Sequence, residues 1–341
     1  MSLFSPKSAP HLDEISPLAA MPGGEVHLRG VHLIGAAPAQ AMLGDVVAPL
    51  TLSRAAHAIL RVPEGSVSGA VKIHSHGAES NGLLLNVAVP LAENLHPVAN
   101  PAVDADGNLF ATFSGPRGEK VPVSIFRIDR DYQVRPFVRD LLNATGIAFG
   151  KDGYLYVSSR AEGAVYRISP DGAISTYAEG LGVATGIAFD GDGNLFVGDR
   201  SGTIFKIGPS RDIFVYATLE PSVSAYHLAF NDQGTLFVTG PTTSSFDNVY
   251  AIDRDGTASV YYRGLGRPQG SAFDLGGNLY VAASLAGDRG IVRITPSREA
   301  ELVLAGNGLV GLAFVEDGCA ALATSNAIYH VAMDVEGRPL I

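Results

Sequence analysis

The 341-residue chain holds a single cysteine, Cys319, and no tryptophan. One thiol excludes an intrachain disulfide and any zinc site built on several cysteines, and it fits a reducing compartment. Charge is scarce as well, at 17% of residues, and it is skewed: 24 Lys and Arg face 34 Asp and Glu, a formal net charge of -10. That balance disfavours an extended basic surface for nucleic acid or anionic lipid, while allowing a local basic patch. No run of 18 apolar residues is present to span a bilayer. The opening residues are broken by Pro10, His11, Asp13 and Glu14, so no signal-peptide core is read there. The expectation is a soluble cytoplasmic protein with neither a nucleic-acid nor a membrane partner.

Turn formers are abundant instead. With 40 glycines, 20 prolines and 46% hydrophobic residues, the composition suits many short strands joined by tight turns and disfavours disorder and helical bundles. At roughly 150 residues per domain the length favours two domains.

Internal repetition is the strongest signal. Thr145–Phe149 (TGIAF), Thr185–Phe189 (TGIAF), Tyr226–Phe230 (YHLAF), Gln269–Phe273 (QGSAF) and Val310–Phe314 (VGLAF) align. Each precedes a turn and a second apolar run such as Gly193–Val197 (GNLFV). A divergent first copy begins at Asn100, and the aligned residues Asn100, Gly146, Gly186, His227, Gly270 and Gly311 stand 46, 40, 41, 43 and 41 residues apart. Within one unit, four short β-branched or aromatic runs are bounded by Gly, Asp, Asn or Pro, which reads as a four-stranded sheet. Such units cannot bury both faces alone, and radial stacking solves this, so six copies predict a six-bladed propeller. Residues 11–90 show turn clusters such as Pro22–Gly24 and Pro63–Gly65 between short apolar runs, with no helical periodicity, and predict a small β-sandwich. Pro90–Pro97 is expected to be the linker, and closure of the ring is open between the last strand, Arg338–Ile341, pairing within blade six and a segment near Leu95 completing it from the N-terminal side.

Ile15-Ser-Pro17, Pro22-Gly-Gly-Glu-Val26, Leu28-Arg-Gly30, Val62-Pro63, Ser68-Gly69 and Ser80-Asn81 together resemble the immunoglobulin-like IPT/TIG domain over most of residues 11–90. The repeated x-Gly-Ile-Ala-Phe and Asp-Gly-Asn-Leu-Phe-Val, over about residues 97–341, resembles the NHL-repeat and gluconolactonase (senescence marker protein) superfamily. The resemblance implies an all-β chain, a small immunoglobulin-like β-sandwich followed by a six-bladed β-propeller. It also implies a divalent cation at the channel mouth, held by Glu, Asn and Asp. Here, however, the slot before the aligned position holds Ala99, Thr145, Thr185, Tyr226, Gln269 and Val310, with no carboxylate, although hard cations normally require one. Glu93 and Asp199 are the nearby replacements, and the cofactor stays open.

In an antiparallel blade the starts of first strands, the ends of second strands and the loops beyond them share one face, which is the expected mouth. It gathers Asn100, Asn143, Thr145, Thr185, Tyr226, His227, Arg267 and Gln269 with Arg117, Ser159, Arg160, Asp199, Arg200, Thr242, Asp247, Ser284 and Arg289. His227 stands where most copies keep glycine, and imidazole chemistry suits a general base or a binding donor. Tyr226 and His227 are the candidate catalytic residues. Asn100, Asn143, Thr145, Arg160, Thr185, Asp199, Arg200, Arg267 and Gln269 are the candidate ligand contacts. Against this, His227 reads equally as a channel-lining residue bonded to Tyr226 or Gln269. Arg117, Arg160, Arg200 and Arg267 could ring the mouth and favour an anionic or carboxylate ligand through fork geometry, but arginines after the second strand read first as blade-to-blade ion pairs with residues such as Glu162 or Asp199. His96 reads first as a linker residue. The loop Gly240–Asn248, rich in hydroxyls and carrying Phe246, is a candidate ligand-contacting element.

Several patterns are set aside. Asp104-x-Asp106-x-Asn108 and Asp190-x-Asp192-x-Asn194 lack the calcium-loop glycine and terminal Glu, and read as hairpin turns. Gly180-Leu-Gly182 and Gly264-Leu-Gly266 precede no helix. His74 and His76 share one strand face without a third ligand. Two readings remain: a gluconolactonase-like hydrolase of a small polar ligand such as a sugar lactone, or a non-catalytic module that recognises a protein, glycan or small molecule. RNA binding, known for some NHL propellers, is third because the acidic balance opposes phosphate contact.

Overall fold

The computed structural model describes residues 9–34, 39–75 and 77–338. His76 and residues 339–341 lie outside the described residues. The chain is all-β, and no helix among the described residues is long and apolar enough to cross a membrane.

Six four-stranded antiparallel sheets follow one another as blades. The third shows the plan: Ala184–Phe189, Leu195–Asp199, Thr203–Ile207 and Ile213–Thr218 run from the axis outward. Its turn is fixed by Asp190, whose Oδ1 accepts from the Asp192 and Asn194 amides at 2.9 Å each, a local alternative to cation binding.

The recurrent phenylalanine at the end of the inner strand in blades two to six wedges between blades. Phe189 meets Tyr156 of the preceding blade edge-to-face with ring centroids 4.8 Å apart, and Tyr156 meets Tyr177 of its own outer strand at 4.9 Å. Tyr177 sits at the register shift between the pairs Val165–Ala178 and Tyr166–Thr176, so a β-bulge re-aims it towards the second strand. The same trio recurs as Phe137–Phe110–Phe149, Tyr216–Phe196–Phe230 and Tyr261–Phe237–Phe273. These edge-to-face contacts suit the ring quadrupoles and place the largest apolar bodies at the seams.

The sixth blade is closed from the other end of the sequence. Leu309–Val315, Cys319–Thr324 and Ala327–Ala332 supply three strands, and Val89–Glu93 pairs antiparallel with Ala327–Ala332 as the fourth. The stretch expected as a linker is thus a structural strand. Proline at position 90 obscured it in the sequence, since Pro is tolerated only at sheet edges, and this is an edge.

Residues before it form two sheets around one core. His11–Ser16, Glu25–Val31, His57–Arg61 and Leu50–Ser53 build one; Leu83–Val87, Gly69–Ser75, Gln40–Leu43 and Val46–Ala48 the other. Leu28, Leu60, Val71, Ile73 and Leu85 are fully buried between them. The short strand Ala19–Ala20 lies parallel both to Asn86–Val87 and to Leu304–Ala305 of blade five. Blade five and the second sheet therefore form one continuous ten-stranded sheet.

Candidate functional site

Near the axis the inner strands crowd together at the aligned positions. A Cβ on Gly186 would stand 2.9 Å from the Cα of His227, and one on Gly146 3.0 Å from the Cα of Gly186, which is why glycine recurs there. The Gly186 amide donates to the Tyr226 carbonyl at 2.9 Å, and the Gly270 amide to the Val310 carbonyl at 3.1 Å, so neighbouring inner strands are stitched directly. The aligned ring carries two larger side chains, Asn100 and His227, from blades one and four, and the rest of it is glycine.

Four residues of this ring, Asn100, Gly146, Gly186 and His227, line a cavity of about 460 Å³. Its walls are inner-strand residues such as Ile147, Ile187, Leu228 and Phe273. Its rim carries Lys151, Asp190, Asp192, Asp232, Arg254 and Arg338. Lys151, Asp190, Asp192 and Asp232 lie in turns between first and second strands and Arg254 in a turn between third and fourth, which share one face, so the cavity opens on the face opposite the expected mouth. Period and strand order place residues on faces, but they do not say at which end of the channel the inner strands diverge.

His227 lines this cavity, is 2% exposed, and its Nε2 has no hydrogen-bond partner. Burial drives the imidazole pKa down to about 4, opposed by the side chain of Gln269. At neutral pH it is an uncharged ring.

The other expected residues are largely committed to the scaffold. Asn100 lines the cavity, but its Nδ2 donates to the Ser271 carbonyl at 2.8 Å and its Oδ1 accepts from the Leu312 amide at 3.1 Å. Asn143, buried, holds the loop after the second strand of blade one: it accepts from the Gly118 amide at 2.7 Å and donates to the Gly115 and Pro116 carbonyls at 2.8 Å each. Thr145 donates to the Asn143 carbonyl at 2.9 Å. Thr185 donates to the Gly198 carbonyl at 2.8 Å and accepts from the Tyr226 amide at 3.1 Å. The buried Tyr226 hydroxyl donates to the Glu220 carbonyl, and burial pushes its pKa further up. Gln269 has its carbonyl bonded by the Thr239 hydroxyl at 2.5 Å. Arg267 is exposed with φ 49°, and neither it nor Arg160 nor Arg200 forms an ion pair among the described residues.

The arrangement does not fit a hard divalent cation. Asp199 accepts from the Val183 amide at 2.8 Å and from the Ser201 amide and hydroxyl, and Glu93 is exposed on the outermost strand of blade six. Among the described residues no three His, Cys, Asp or Glu side chains converge on one point.

No family model and no curated protein matches the chain. Solved structures do. A structural-genomics protein described as a gluconolactonase by family matches at 20% identity with a TM-score of 0.61, over 74% of this chain and 93% of its own. An auxiliary nutrient binding protein from Bacteroides thetaiotaomicron matches at 11% identity and a TM-score of 0.57, over 96% of this chain and 99% of its own. Virginiamycin B lyase from Staphylococcus aureus matches at 14% identity and 0.52, over 86% and 98%. The chain is a β-propeller. At these identities the likeness is one of fold, and the propeller framework hosts many activities.

Proposed function

We propose that this propeller binds a small polar molecule in its axial cavity, with the neutral imidazole of His227 at the floor and a charged rim setting orientation. The partnerless Nε2 of His227 carries the reading. A buried polar atom without a partner costs about 1–3 kcal/mol, and a ligand hydroxyl or carbonyl at the floor recovers that cost. The size and mixed lining suit a ligand of sugar dimensions, and the propeller architecture shared with a nutrient binding protein supports binding. Asn100, Thr185 and Tyr226 serve here as scaffold. The N-terminal sandwich is an IPT/TIG-like platform, and the division between it and the propeller falls before Val89 rather than at Pro97.

Titration calorimetry with a panel of monosaccharides, sugar acids and lactones tests this. Saturable binding that weakens at least tenfold in His227→Ala supports it, and a panel without saturable heat rejects it.

A second reading is hydrolysis, favoured by one observation: an unprotonated imidazole whose Nε2 has no partner can accept a proton from water. It predicts lactone turnover that is lost in His227→Ala. Turnover absent with and without added Ca²⁺, Zn²⁺ or Mn²⁺ removes it.

A further inference from the structure

The face opposite the cavity carries a separate arrangement. At the end of the second strand or in the loop beyond it, blades one, two and three place Arg117, Arg160 and Arg200. Arg160 is partly buried and reaches back to blade one, where its Nη2 donates to the Gly115 carbonyl at 3.0 Å. That contact sets it beside Arg117, two residues along the same loop, and Asn143 clamps this loop through Gly115, Pro116 and Gly118. Arg200 is held from the other side by its Nε, which donates to the Ser222 carbonyl at 3.2 Å.

Arg117 and Arg200 are exposed, but the partly buried Arg160 guanidinium beside two like charges favours a nearby counter-charge. The protein has an excess of carboxylates and pairs some of its other arginines with them, among them Arg61 with Glu25, Arg130 with Glu316 and Arg167 with Asp152. None is supplied to Arg117, Arg160 or Arg200 among the described residues, and the buried Nε of Arg160 has no partner at all. Burial, then the charges of Arg117 and Arg200, pull the Arg160 pKa below the ordinary arginine value, so the guanidinium is held in an uncompensated field.

We infer that Arg117, Arg160 and Arg200 form a binding site for a small oxyanion, a phosphate or carboxylate group, on the face of the propeller opposite the axial cavity. A planar guanidinium with a free Nε–H and a second free N–H offers the fork that such groups accept, and the flanking arginines add charge from two neighbouring blades. None of the three arginines lines the axial cavity.

Thermal melting and titration calorimetry of the whole chain, with inorganic phosphate and with citrate, each against sodium chloride at matched ionic strength, test the assignment. Saturable stabilisation by one or both oxyanions beyond that of chloride is expected, and the preferred anion distinguishes phosphate from carboxylate ligands. Arg160→Gln should weaken binding about tenfold or more, the value of a charge-assisted bond. Arg117→Gln, at an exposed side chain, should weaken it without disturbing the fold, and Arg160→Lys should rescue only in part because it lacks the fork. Without added anion, Arg160→Gln should melt no lower than the parent, since it removes an uncompensated charge. His227→Ala should leave the anion response intact, separating this site from the reading of the cavity. Equal stabilisation by chloride, or an undiminished response in both glutamine variants, overturns the proposal.

Discussion

Asn100 donates to the carbonyl of Ser271 at 2.8 Å across 171 residues of sequence, tying the first blade to the fifth, while its carbonyl oxygen takes the amide of Leu312 in the sixth. One side chain thus laces the start of the ring to its end, where the aromatic wedge of the other seams is missing: Val103 stands at the position of the recurrent phenylalanine, and Ala321 faces it in place of the second-strand aromatic.

Asn100→Ala should therefore lower stability by about 2–4 kcal/mol, since two bonds are lost and two backbone groups near the axis are stranded. Urea denaturation reads it. A change below about 0.5 kcal/mol would show that water replaces the amide without cost.

The buried His227 makes stability depend on pH. Its folded pKa of about 4 lies below the ordinary 6.5, so the unfolded chain holds more protons between these values and stability falls as pH drops through that window. The contribution reaches about 3 kcal/mol between pH 7 and 4. Subtracting the denaturation free energies of His227→Gln from those of the parent at each pH isolates it, and parallel curves contradict the burial argument.

Tyr226→Phe removes only the hydroxyl that donates to the Glu220 carbonyl. A loss of about 1 kcal/mol in stability is expected, with ligand binding in the cavity unchanged. A collapse of binding or turnover at unchanged stability would return Tyr226 to the chemistry.

Phe189→Ala empties the wedge against Tyr156 and should cost about 3 kcal/mol. Phe246→Ala, in the hydroxyl-rich loop and 69% exposed, should stay within about 0.5 kcal/mol. Chemical denaturation of the pair distinguishes a seam residue from a surface one.

A fragment of residues 97–338 lacks the strand Val89–Glu93 and leaves the edge of Ala327–Ala332 unpaired. It should aggregate or melt well below a fragment that begins at Val89. Equal melting temperatures would deny the closing strand its role.

The blades were legible because a period near 41 and the repeated Gly-x-Ala-Phe report local strand and turn chemistry, and because packing repeats when sequence repeats. The singular features were not. Val89–Glu93 belongs to no repeat of its own, and Ala19–Ala20, two residues long, carries no pattern that announces a bridge between the sandwich and blade five. His227 stood out as a break in the glycine column, and that signal led to the cavity floor. Thr185 and Asn143 stood out equally, yet their polar atoms are spent on neighbouring backbone, which no spacing rule reveals.

By itself the sequence determined the strand content, the number of blades and the seam chemistry, all set by contacts within one repeat or between adjacent ones. Which end of the channel opens, which polar side chains keep a free atom, and which segment closes the ring were decided only by the tertiary structure. Those outcomes depend on hydrogen bonds and close approaches between residues from tens to hundreds of positions apart, where the local pattern has nothing to say.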